Sequence, residues 1–236
     1  MIRNKKTFFI GLALLISFCL VYAGMMSPNF GNGRNGLEFA DDMFNSLSKG
    51  SAYFIGDQMK KATKENGKTI NVTLKAKGND EAVNWAKLYQ SAGADVKVDS
   101  ASVSVKGDYG KILASALNDS DAMYNNKGDS ITAKYGYDAR EATYNWYNSF
   151  KKMDNEFKKQ EMFKESSVLN NVMKKGIEPA YNYYGIEIKH VKDNKASLTF
   201  MLTFYLIYTL WYGFGLFFLF DGLGISTSKS PKKAEA

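Results

Sequence analysis

Ala196-Ser-Leu-Thr-Phe-Met-Leu-Thr-Phe-Tyr-Leu-Ile-Tyr-Thr-Leu-Trp-Tyr-Gly-Phe-Gly-Leu-Phe-Phe-Leu-Phe220 carries no charged side chain. As a helix, these roughly 25 residues span about 37 Å, more than the ~30 Å hydrocarbon core of a bilayer. A soluble domain of this size does not readily bury a helix that is apolar on every side, so the stretch reads as transmembrane. Everything else in the chain is then assigned to one face of a membrane.

A second apolar run precedes it at a distance, Thr7-Phe-Phe-Ile-Gly-Leu-Ala-Leu-Leu-Ile-Ser-Phe-Cys-Leu-Val-Tyr-Ala-Gly-Met-Met26. It is long enough for a retained helix. It also has the basic head and the small-x-small triplet Val21-Tyr22-Ala23 of a signal peptide. The apolar run continues through that triplet, which favours retention. Either way the orientation is the same. Arg3, Lys5 and Lys6 lie before the first run, and Lys229, Lys232 and Lys233 lie after the second. Short basic flanks stay on the cytoplasmic side. The expected organisation is therefore a basic cytoplasmic head at 1–6, a first transmembrane helix at 7–26, an extracytoplasmic domain at 27–195, a second transmembrane helix at 196–225 and a basic cytoplasmic tail at 226–236. In a bacterium this places the chain in the inner membrane, with its central domain in the periplasm or outside the cell. Neither flank is long enough for a folded output domain.

The net charge of the 236-residue chain is +7, but acidic and basic residues are mixed through the central region. That pattern describes a solvated surface and not a nucleic-acid footprint, so no nucleic-acid partner is expected. The single cysteine, Cys19, excludes an intramolecular disulfide and a cysteine metal site. The single histidine, His190, leaves one candidate base for a catalytic triad and argues against histidine-ligated metals.

Ser27-Pro-Asn-Phe-Gly-Asn-Gly-Arg-Asn-Gly36 contains a literal G-x-G-x-x-G at Gly31, Gly33 and Gly36, with Asp57 about 20 residues on. A dinucleotide fingerprint needs a strand before it. Here a membrane segment stands in that place, so the stretch reads as a linker. Leu37 to about Lys64 has helical spacing, with an interruption around Ala52-Tyr-Phe-Ile55. Ile70, Val72, Leu74 and Ala76 then alternate as in a half-buried strand. A helix through Ala82 to Tyr89 ends at Gly93. Val96 and Val98, then Val103 and Val105, form a hairpin about Asp99-Ser100. Gly107-Asp108 caps a further helix carrying Ile112, Leu113, Ala116 and Leu117. This β-α-β-β-α order predicts a small sheet with helices on one face. From Ala139 to about Lys175 an apolar stripe through Ala142, Trp146, Phe150, Met153 and Phe157 predicts a long helix or helix pair. Glu178-Pro179 permits a fresh helix start. The fold class expected is α+β, mostly helical, with two flanking membrane helices.

Chemistry-bearing patterns are sparse. Ser-x-x-Lys occurs at Ser46–Lys49 and Ser149–Lys152, but its companion motif is missing, since Ile70 follows Lys68-Thr69. Asp119 and Asp121, in Asn118-Asp-Ser-Asp121, lack the glycine and distal glutamate of a calcium loop and read as a helix-end turn. No catalytic set, cofactor site or metal site is expected. Tyrosines crowd the second half of the chain, Tyr181, Tyr183 and Tyr184 among them, where they suit a core, a partner surface or a ligand groove. The second membrane stretch holds Thr203, Tyr205, Tyr208, Trp211, Tyr212, Gly213 and Gly215. Lipid-facing positions need neither hydroxyls nor glycines, so these are candidate contacts to a partner helix, or to the first helix through Gly11 and Ala13.

In topology the chain is similar to the chain-length regulators of polysaccharide export, two membrane helices about an extracytoplasmic α/β base. It lacks their proline-rich approach to the second helix. The function expected is that of a non-catalytic accessory or assembly subunit of a membrane complex. Its partners would be the lipid bilayer and another membrane protein or a second copy. A periplasmic ligand-binding or sensory module is the first alternative and a two-helix channel or transporter subunit the second.

Overall fold

The computed structural model describes residues 2–225; the basic tail expected at 226–236 lies outside the described residues. The chain divides into two compact units. One holds the described residues up to Leu47 and from Lys189 onward, and the other is Ser48–Ile188.

The first unit contains α1 (Lys5–Met25), most of α2 (Gly36–Lys49) and, at its far end, α10 (Lys195–Leu223). Both α1 and α10 are long and apolar enough to cross a membrane. They lie within two residues of the bounds expected from the sequence. Only 6% of the most apolar window of each is buried, whereas a core helix of a soluble protein is mostly buried.

The two helices pack antiparallel. Phe8 lies against Gly222, Leu15 against Gly215 and Phe18 against Tyr208. On α10 the covered positions are Met201, Phe204, Tyr208, Trp211, Gly215, Phe218 and Gly222, with Leu216 and Leu219 beside them. Alternating spacings of three and four residues make this the a/d seam of a coiled coil. Asn4 caps α1 through a side-chain bond to Thr7 N–H. The N–H groups of Arg3 and Asn4 both donate to Gly222 C=O, at 2.9 and 3.0 Å. Gly224, with φ of 76°, closes α10 in the left-handed conformation, and Ile225 N–H returns to Phe220 C=O.

Between α1 and α2 the G-x-G-x-x-G stretch is a loop of left-handed turns, with positive φ at Gly31, Asn32 and Gly33. Helix α1 precedes it, as the linker reading requires. Asn35 then caps α2: its Oδ1 accepts from Leu37 and Glu38 N–H, and Glu38 Oε2 accepts from Asn35 N–H, all at 2.9 Å. Arg34 is engaged by Asp42 and by Gly31 C=O.

The second unit begins with α3 (Ile55–Thr63), β1 (Thr69–Lys75), α4 (Asn79–Ser91), β2 (Asp95–Asp99), β3 (Ser102–Asp108) and α5 (Tyr109–Tyr124). The β-α-β-β-α order is the one expected. All pairings are antiparallel, with β3 central in the order β1-β3-β2. Ile70, Val72 and Leu74 of β1 and Val103 and Val105 of β3 are buried on one face. Thr73 and Ser104 meet across the strands on the other, exposed face. One face of the sheet is therefore covered and the other faces solvent.

Helices α6 (Gly128–Tyr135), α7 (Ala139–Lys159), α8 (Phe163–Val172) and α9 (Glu178–Asn182) complete the unit. The expected stripe of α7 is its buried face: Ala142, Trp146, Phe150, Met153 and Phe157 are all in the core. Glu161, with φ of 59°, breaks the chain between α7 and α8, which makes a helix pair.

One local expectation is refined and one is corrected. Glu178-Pro179 does stand in the first turn of a new helix, α9, but that helix opens from helical residues and not from a loop. A π-turn at Met173–Ile177 carries α8 directly into α9, with Glu178 N–H reaching Met173 C=O. The wider turn accommodates Pro179, which lacks an N–H and whose ring crowds the carbonyl one turn back. Asn118–Asp121 is the expectation corrected: it is not a helix-end turn, because α5 runs on to Tyr124.

Candidate functional site

The residues singled out on α10 separate into two groups. Tyr208, Trp211 and Gly215 belong to the seam with α1. The Tyr208 ring stacks on Phe18 at 4.4 Å between centroids, and Tyr212 approaches the same ring at 5.1 Å from the edge of the seam. A methyl group on Gly215 would stand 2.8 Å from Leu15 Cδ2. Thr203, Tyr205 and Gly213 face outward. Tyr205 is 69% exposed, and nothing lies within 4 Å of where a Gly213 side chain would begin. By helical periodicity Thr199, Thr203, Leu206, Leu210, Gly213 and Phe217 form a second line at spacings of three and four, on the side away from α1. The glycines two apart thus serve different sides: Gly215 admits α1, and Gly213 leaves a notch on the outer line.

The tyrosines of the outer domain also part company. Tyr183 meets Tyr124 edge-on at 6.0 Å, and its C=O accepts from Lys49 Nζ at 3.0 Å. Tyr184 lies under the Arg140 guanidinium at 5.2 Å, and Arg140 Nη2 donates to its C=O at 3.1 Å. Both are internal struts.

Tyr181 instead lines a groove of about 280 Å³ between α7 and the π-turn and α9, with Tyr144, Tyr147, Ile177 and Glu178. The Tyr144 and Tyr181 rings are 6.2 Å apart. Hydrogen bonding to Glu178, aided by desolvation, raises the pKa of the Tyr147 hydroxyl above its ordinary value. Aromatic faces, a carboxylate and the Asn182 amide make this groove able to hold a small polar ligand with one apolar side.

Three polar centres were not anticipated from the sequence. Lys49, the lysine of the first Ser-x-x-Lys match, is 1% exposed. Its ammonium donates to Asn126 Oδ1 (3.1 Å), Tyr183 C=O (3.0 Å) and Ile186 C=O (2.6 Å) and lies 5.3 Å from the Tyr124 ring centre. Burial lowers its pKa against the opposing pull of Glu187. Asp119, buried inside α5, accepts from Tyr135 Oη (2.5 Å), Trp146 Nε1 (2.8 Å) and Lys134 Nζ (2.9 Å). These bonds join α5, α6 and α7. Asp154 of α7 accepts from Lys158 Nζ (2.6 Å), from Ser166 Oγ and from Asn170 Nδ2 (2.7 Å), which joins α7 to α8. Asp121 points elsewhere and accepts from Tyr53 Oη at 2.6 Å, and that bond pushes the Tyr53 pKa up to about 12.

Each of these groups is saturated by neighbours in its own unit, which suits them to holding helices together. Among the described residues no three His, Cys, Asp or Glu side chains gather to hold a metal ion. Comparison of the chain with models of protein families, with curated proteins and with solved structures finds no match.

Proposed function

We propose that the chain is a non-catalytic integral protein of the inner membrane, an accessory or assembly subunit. It docks through the outer side of α10 onto another membrane protein or a second copy. Both ends face the cytoplasm and residues 27–195 face the periplasm or exterior. The observation that carries the reading is the outer line of α10. After α1 has taken Tyr208, Trp211 and Gly215, that line still presents Thr199, Thr203 and the open notch at Gly213. Hydroxyls and glycines gain nothing against lipid and are used where helices approach closely. The orientation rests on the basic flanks. It is consistent with the bonds from Arg3 and Asn4 to Gly222, which bring the start of α1 and the end of α10 together. Retention of α1 is supported by its seam with α10.

Purification of the full chain in mild detergent tests the reading, with Gly213→Leu and Thr203→Leu beside the unaltered protein. A stoichiometric partner or homo-oligomer is expected with the unaltered chain and is lost in both variants. Gly213→Leu leaves the α1–α10 seam untouched, because no atom lies near that position. A lone monomer in every detergent overturns the reading, as does a reporter fused behind Ala236 that is active only on the external side.

A second reading, a periplasmic ligand-binding module, is favoured by the Tyr144–Tyr147–Tyr181 groove with its Glu178 carboxylate. It requires saturable stabilisation of the protein by a small polar compound, abolished by Tyr181→Ala.

A further inference from the structure

Helix α7 carries a second pattern besides its buried stripe. Asn148, Lys151, Lys152, Asn155, Lys158 and Lys159 recur at spacings of three and four along one side. That side forms one wall of a trough whose other wall is supplied by Lys75, at the end of β1, and Lys77, in the bend that follows. The trough comprises two adjoining depressions of about 390 and 190 Å³, which share Lys152 and Asn155. From Asn148 to Lys159 the helix rises about 16 Å.

The polar groups of this trough are mostly donors. Its two carboxylates are already engaged. Glu156 pairs with Lys159 at 2.7 Å, and Glu81 accepts the Lys77 backbone N–H at 2.6 Å. Lys158 is held by Asp154. Lys75, Lys77, Lys151 and Lys152 have no carboxylate within 4 Å among the described residues, Lys151 lying 5.8 Å from the centre of the Tyr147 ring. On the same wall the Asn148 amide nitrogen is turned inward and closed off from water, so the lysines and Asn155 are the donors left facing the trough. A solvated lysine face explains the lysines. It does not explain their facing one another across a concavity.

We infer that this trough is a binding site for a linear polyanion, a polymer carrying phosphate or carboxylate groups along its length. The oxygens of such a chain would accept from the unpaired lysines and from Asn155. One small anion fills a single depression; two adjoining depressions over 16 Å take at least two charged units. Among the described residues the one aromatic lining the trough is Trp85, which is 1% exposed, and its Nε1 is committed to Asn145 Oδ1 at 3.3 Å. No platform is offered for stacking bases, so the site reads charge and not nucleobases.

Titration of the full chain in neutral detergent with inorganic polyphosphate, and separately with polygalacturonate, tests the inference. Saturable binding of at least one is expected at 50 mM salt, and the tighter of the two identifies phosphate or carboxylate as the charged group. The slope of log K against log salt should be about −3 for some four lysines on a single chain. Lys75→Gln with Lys152→Gln should weaken binding about tenfold or more and flatten that slope by about one or two. Asn148→Asp, which sets a negative charge on the wall, should weaken it comparably. Lys60→Gln with Lys64→Gln, on α3 and at its C-terminal cap, should change neither. Unfolding midpoints confirm that all variants are folded. Absence of saturable binding to either polymer overturns the inference, as does an equal loss in the α3 control or unchanged affinity in the trough variants.

Discussion

Lys49 is a buried cation with no carboxylate hydrogen-bonded to it. Its charge is held by two main-chain carbonyls, an amide oxygen and a tyrosine face, and the Tyr124 hydroxyl donates to its own carbonyl. The arrangement ties the end of α2 to the segment following α9. Lys49→Ala strands acceptors and opens a cavity, and unfolding of the full chain in detergent should show a loss of roughly 2–4 kcal/mol. Asp154 gives a pH signature. Burial pushes its pKa up, but the bonds from Lys158, Ser166 and Asn170 outweigh that, and the net value lies below the ordinary one. A carboxylate with a depressed folded-state pKa contributes stability above its unfolded value, near ~3.9, and loses it as pH falls through the folded value. The unfolding midpoint should therefore drop below about pH 4, and Asp154→Asn should flatten that acid limb. Neither role could be read in advance. Lys49 and Asp154 sit among many lysines and aspartates of like spacing, and what singles them out is burial beside groups 12 to 137 positions away.

Among the elements, the pairing of α1 with α10 depends on where side chains are missing. A methyl group at Gly222 would come within 2.5 Å of Phe8 Cα and N, and one at Gly11 would run into the Leu219 backbone. Backbone cannot swing aside as a side chain does, so Gly222→Leu should separate the helices. An engineered disulfide between α1 and α10 that forms readily in the parent should then fail to form. Gly213→Leu should leave it intact. The apolar character and bounds of both helices were legible from composition, because a bilayer-length run without charge has few alternatives. Which glycine faces α1 was not, since that depends on the rotation of each helix. The strands were legible from their two-residue alternation, and α7 from its apolar stripe. The π-turn was missed for a plain reason: Pro179 normally marks a helix start, and only the widened turn before it lets one helix run through. Helix α6 was missed because its eight residues hold too few apolar positions to show a period.

At the scale of the molecule, the sheet and its helices bury one contiguous core from Ile55 to Ala180, as the mixed β-α-β-β-α and helical pattern led one to expect. The candidate sites were less legible than the fold. Tyr181, Tyr183 and Tyr184 are nearly adjacent in the chain, yet one lines a groove and two brace the interior, because a turn after α9 sends them in different directions. The trough on α7 was not legible, because its lysines have the look of a solvated helix face and its second wall comes from Lys75 and Lys77, more than 70 positions earlier. Sequence separation also governs the seam between α1 and α10. Its two halves lie about 170 residues apart, which at synthesis rates of ~5–20 residues per second is roughly 10–30 s. Throughout that interval the nascent α1 has been made and its mate has not, leaving Phe8, Gly11, Leu15 and Phe18 bare. A transcript cut short before Lys195 would release a product in that condition permanently, and such a fragment is a candidate for mispairing with whichever glycine-notched helix it meets first.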